Sequence, residues 1–82
     1  MGEVTGLGHR LELRREAGGM RNYLAGKPVH AGDILELWKA GAWLRGRYEW
    51  TFRTDDEPVL YLAEDKAVCL SSADVLRWPG AI

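Results

Sequence analysis

From Trp43 to about Arg53 the chain alternates between two kinds of side chain, and no other feature limits the fold as much. Successive residues of a strand point to opposite faces, so Tyr48, Trp50 and Phe52 share one face while Arg45, Arg47 and Glu49 share the other. The aromatic face predicts a core and the charged face predicts solvent. A helix over Leu35 to Leu44 is the rival, since Leu35, Trp38 and Ala42 fall near helical spacing. Gly41 in its middle and the alternating aromatic stretch that follows tell against it.

Further strands are predicted on both sides of this one. Arg10-Leu11-Glu12-Leu13-Arg14 alternates polar and apolar, Gly18-Gly19 turns the chain, and Met20 to Leu24 returns. Val29 to Trp38 holds a Gly32-Asp33 turn feeding an apolar strand, and Lys39-Ala40-Gly41-Ala42 turns it into the central segment. Val59 to Leu62, Ala67 to Leu70 and Val75 to Trp78 complete the set, with acidic turns at Thr54 to Pro58 and Glu64 to Lys66. Ser71-Ser72-Ala73-Asp74 has the residues of a helix cap and predicts one short helical turn near Ser72. About five to seven short antiparallel strands at such spacing predict a mostly β chain, a small barrel or sandwich.

With 82 residues this is one domain, 1–82, whose residues 1–8 are expected to form a loosely ordered N-terminus. A chain of this size hides only about 60–65% of its unfolded surface, and small all-β domains often make up the deficit by self-association or with a partner. Trp38, Trp43, Trp50 and Trp78 are many tryptophans for so short a chain, and they point to a core or an interface.

The formal charge of −1 gives no overall attraction to phosphate backbones or anionic lipid. A lone Cys69 forms no internal disulfide, which predicts a reducing cytoplasm, and its apolar strand predicts an inert core thiol. No apolar run nears the roughly 18 residues of a membrane span, and the first residues lack a signal-peptide layout, so cytoplasmic localisation without a membrane is expected.

The residues that carry chemistry elsewhere have simpler readings here. His9 and His30 make no metal-ligand spacing, and His30 precedes a turn, where local hydrogen bonding to backbone is expected. Ser71, Ser72 and Asp74 read as a cap rather than a hydrolytic set, in the absence of a G-x-S-x-G elbow. Asp55, Asp56 and Glu57 lack the alternation of a calcium loop and read as a solvated turn. Neither a cofactor nor a metal is expected.

The segments Arg21-Asn22-Tyr23-Leu24, Val29-His30-Ala31-Gly32-Asp33, Glu36 and Trp43-Leu44-Arg45-Gly46-Arg47-Tyr48-Glu49-Trp50 together resemble a group of short bacterial domains, domain of unknown function 5348. The resemblance covers about Leu11 to Trp78 and implies no catalytic assignment. A second likeness, in Gly32-Asp33, Lys39 to Trp43 and Val68 to Ser71, is to the type II dihydrofolate reductases, whose fold is an SH3-like barrel. It implies that fold. It does not imply the activity, because Cys69 and Ser71 stand where that family has the Gln and Tyr of its V-Q-I-Y segment.

Trp43, Arg45, Arg47 and Glu49 are the candidate binding residues. Arginines alternating beside aromatics suit three roles: a solvated face paired to Glu49 and cross-strand Glu36, a protein interface, or a track for single-stranded nucleic acid. The expectation is a non-catalytic binding module acting through protein contacts or self-association. Single-stranded nucleic-acid binding is the alternative, and an enzyme whose small-molecule pore forms only in an oligomer is the third.

Overall fold

The computed structural model describes residues 8–51 and 55–80. Among these residues nine strands run in chain order: β1 His9–Arg10, β2 Glu12–Glu16, β3 Gly19–Leu24, β4 Lys27–Pro28, β5 Ile34–Lys39, β6 Ala42–Glu49, β7 Val59–Tyr61, β8 Ala67–Cys69 and β9 Val75–Arg77. They form an antiparallel six-stranded sheet, ordered β1-β9-β5-β6-β7-β8, and a three-stranded sheet, β2-β3-β4. The expected mostly β class holds, and there is no helix among the described residues.

Three finer expectations do not hold. The described residues hold nine strands, several only two or three residues long, where about five to seven were expected. Among the described residues the ladder is not closed: β1 and β8 end the large sheet and β2 and β4 end the small one, which leaves the expected SH3-like barrel open. The helical turn near Ser72 is an isolated turn. Asp74 donates its N–H to the Ser71 carbonyl at 3.1 Å while its Oδ2 accepts the Ser71 N–H at 2.8 Å. The carboxylate closes the turn on itself, and β9 begins at the next residue, Val75.

The turns explain why β5 and β6 form the longest pairing. Their register runs from Ile34↔Arg47 to Lys39↔Ala42, which leaves Ala40-Gly41 as a two-residue loop. Both loop residues have positive φ, 53° and 80°, the mirror-image turn whose twist matches a hairpin. The central strand is shorter than the alternation predicted. It ends at Glu49, and Phe52 and Arg53 lie outside the described residues.

The core is a single cluster of Leu24, Val29, Leu35, Leu37, Tyr48, Trp50, Leu60, Leu70 and Leu76. Burying such side chains contributes roughly 1.5–3 kcal/mol each, against the backbone entropy of ordering the chain. The predicted split of the central strand is therefore observed for Tyr48 and Trp50, which are buried, and for Arg45 and Arg47, which are exposed. Gly46 sits on the inner face where β7 comes closest: a Cβ there would lie 2.7 Å from the Tyr61 carbonyl oxygen.

Polar ties hold the small sheet over this core. Asn22 Nδ2 donates to the Tyr48 hydroxyl at 3.0 Å, and Trp78 Nε1 donates to the Leu24 carbonyl at 2.8 Å. Both are buried or half-buried groups that would lose stability if left unpartnered.

Candidate functional site

Strand register places the candidate residues on the outer face of the six-stranded sheet, away from the core. Three cross-strand rows organise this face: Trp38 opposite Trp43, then Arg77, Glu36 and Arg45, then Ile34, Arg47 and Tyr61. Glu49 follows, opposite Val59. The structure thus brings Trp43, Arg45, Arg47 and Glu49 onto one surface, as the alternation predicted. It adds Trp38, Arg77, Ile34 and Tyr61, which arrive from three other strands.

Glu36 is the electrostatic centre. Its Oε1 accepts from Arg77 Nε at 2.7 Å, and its Oε2 accepts from Arg45 Nε and Nη2 at 3.2 and 3.1 Å. The carboxyl-bearing residue is 9% exposed, a rare position for a charge unless it is paired. The Arg77 hydrogen bond, helped by Arg45, holds its pKa below the ordinary 4.5 against desolvation, which pushes the other way. Arg47 pairs with Glu49 at 2.9 Å, so Glu36 and Glu49 are the salt-bridge partners that the sequence suggested.

The aromatic side chains are engaged as well. Trp38 and Trp43 pack with ring centroids 5.2 Å apart and tilted by 58°. The Arg77 guanidinium lies over the Trp43 ring at 4.1 Å, and Arg47 lies over Tyr61 at 5.4 Å. Gly8 backs onto the Trp43 ring edge so closely that a Cβ there would come within 2.9 Å. Trp43 is consequently half-buried, and one ring face that a nucleic-acid base would need is occupied.

Among the described residues the face carries Arg10, Arg45, Arg47 and Arg77 against Glu36 and Glu49, so these residues are more basic than the chain as a whole. Ile34 and Tyr61 are 43% and 45% exposed beside these paired charges.

Several other residues stand apart from this surface or from the sequence expectation. Cys69 is exposed on β8, which corrects the reading of a core thiol: the short strand is an edge, and Cys69 faces outward opposite Val59. His30 joins its turn through backbone, its N–H donating to Asp33 Oδ2 at 2.7 Å, while the imidazole stays largely exposed. Asp55, Asp56 and Glu57 are exposed, as a solvated turn requires. The described residues hold no group of three His, Cys, Asp or Glu arranged for a metal ion. No helix among them is long and apolar enough to cross a membrane.

Sequence reasoning had no way to find Arg77 as a partner of Glu36, because 41 residues separate them and only the β5–β9 pairing joins them. Tyr61 was legible in principle, since alternation with buried Leu60 turns it outward. Scanned against protein-family models and searched against curated proteins and solved structures, the chain finds no match.

Proposed function

We propose that this chain is a non-catalytic β module that works by protein contact, with another protein or a second copy of itself, through the outer face of its six-stranded sheet. The observation that carries this reading is the alignment of exposed Ile34 and Tyr61 with Arg47 in one row, on the same face as the Trp38–Trp43 pair and separated from it by the Glu36 row. A single exposed apolar residue is ordinary, but Trp, Tyr and Arg grouped on one face have the composition of an interface centre. Carboxylates already fix the arginines, which lowers the conformational entropy that a partner must overcome.

The same pairing argues against the nucleic-acid alternative. Phosphates would compete with Glu36 and Glu49 for guanidinium groups that are already bonded. The SH3-like description belongs to this proposal too: two sheets around one core have the content of such a barrel, opened at its seam.

Sedimentation velocity over a dilution series, paired with affinity capture on immobilised protein, tests the reading. Self-association or saturable retention of one defined protein is expected, and it should be lost with Tyr61→Ser and Arg47→Glu. A strict monomer that retains nothing sensitive to those substitutions overturns it. Binding of labelled oligonucleotides at about 50 mM salt, with loss at higher salt, would instead favour nucleic acid.

A further inference from the structure

Leu13 shows that the core is uncovered at one place. Its partner across β2 and β3 is Asn22, which is 7% exposed and faces the interior, yet Leu13 on the same side is 45% exposed. It borders a groove of about 390 Å³ that runs along the open seam between the two sheets. Leu11, Leu13, Trp50 and Leu70 supply an apolar floor, and the charged side chains among its described lining are Asp56 and Glu57. Among the described residues, β2 has β3 as its one hydrogen-bonded neighbour and so forms an edge of its sheet, while Leu11 and Leu13 from this stretch line the groove. The volume is in the range of ligand grooves, roughly 300–1,000 Å³.

We propose that this seam receives an extended segment of a partner protein, with apolar side chains seated on Leu11, Leu13 and Leu70 and a lysine or arginine facing Asp56 and Glu57. Three features fix that chemistry. A strand edge with no ladder partner among the described residues takes extended backbone by adding a strand. An apolar floor takes alternate apolar side chains, since every second residue of the added strand faces the core. Carboxylates on the wall favour cations and repel acidic segments. The added strand would cover Leu13 and pair the exposed edge of β2. The apolar floor of this site lies on the core side of the sheet, away from Arg47, while its acidic wall, Asp56 and Glu57, also borders a second groove that reaches Glu49 and Tyr61 of the outer face.

Titration of the isotope-labelled full chain with a blocked synthetic peptide of alternating lysine and leucine tests this by NMR, with a glutamate-for-lysine twin as control. Saturable shifts are expected at the Leu13 and Ser71 amides and the Trp50 indole N–H. The acidic twin should bind more weakly by at least about fivefold. Glu57→Lys should erase that preference, and Leu13→Asp should abolish binding. Both positions are exposed, so both variants should keep the native spectrum elsewhere. Arg47→Glu should leave peptide binding unchanged, which separates this site from the outer-face reading. Equal binding of the twins, shifts confined to the outer face, or no saturable shift overturns the proposal. Concentration-dependent shifts at Leu13 without peptide also overturn it, because a second copy would then be the occupant.

Discussion

Replacing Glu36 by Ala should destabilise the protein far more than replacing Arg45, the arginine that it holds more loosely. Glu36 accepts from two guanidinium groups whose surroundings differ: the Arg77 side chain is 24% exposed and the Arg45 side chain 64%. Removing the carboxylate strips the half-buried Arg77 of a charged hydrogen bond, which costs about 1.5–3 kcal/mol. Arg45 turns into solvent, and losing an exposed pair costs about 0.2–1 kcal/mol. The expected loss for Glu36→Ala is therefore about 2–3 kcal/mol, or roughly 10–20 °C in melting temperature for a domain of this size. Arg45→Ala should cost under about 1 kcal/mol. A double-mutant cycle should give a larger coupling for Glu36 with Arg77 than for Glu36 with Arg45.

The pH dependence has a definite sign. Because the folded state depresses the Glu36 pKa below 4.5, its contribution is present above that value and is lost as pH falls through the folded pKa. Glu36→Gln should thus flatten the acid side of the stability profile while sparing neutral-pH shape. Thermal unfolding followed by circular dichroism reads both effects. Equal and small losses for Glu36→Ala and Arg45→Ala, with an unchanged acid limb in Glu36→Gln, would refute the reasoning.

Other substitutions probe the fold around that face. Gly46→Ala places a Cβ 2.7 Å from the Tyr61 carbonyl oxygen and should cost about 1–3 kcal/mol in chemical denaturation, with a neutral result excluding the close β6–β7 approach. Tyr48→Phe leaves buried Asn22 without its hydroxyl partner and should cost about 1–2 kcal/mol, read by tryptophan fluorescence. Ala40 occupies the left-handed region at φ 53°, so Ala40→Asn should raise stability by about 0.5–1 kcal/mol rather than lower it. Cys69 should react with a thiol reagent in the native state as readily as in denaturant, and slow native labelling would show that it is covered.

Local chemistry was legible in the sequence, and long-range pairing was not. Period-two alternation correctly separated Tyr48 and Trp50 from Arg45 and Arg47, because the strand pleat enforces it whatever the neighbours are. The Gly41 turn was equally readable. The helical turn at Ser72 failed because a cap residue followed by three positions fits a single turn as well as a helix start, and the Asp74 carboxylate closed the former. Cys69 failed for a different reason. Val68 and Cys69 are adjacent apolar residues on an edge strand, and only the register with Val59 shows which one faces outward. Barrel closure failed likewise, since strand count does not say whether β2 meets a neighbour across the seam. Trp43, Arg45, Arg47 and Glu49 of the candidate face lie on or at the end of one strand and were visible. Trp38, Arg77, Ile34 and Tyr61 join it only through the pairing of β5, β9 and β7 with that strand's neighbourhood.

Site-specific photo-cross-linking in living cells tests the outer-face claim most directly. A photoreactive phenylalanine derivative in place of Tyr61 should give a discrete covalent adduct, either with a second copy of the chain or with one partner protein. The same group in place of Lys66, exposed in the β7–β8 turn, should give none. No adduct at position 61, or an equal pattern at both positions, would contradict the account.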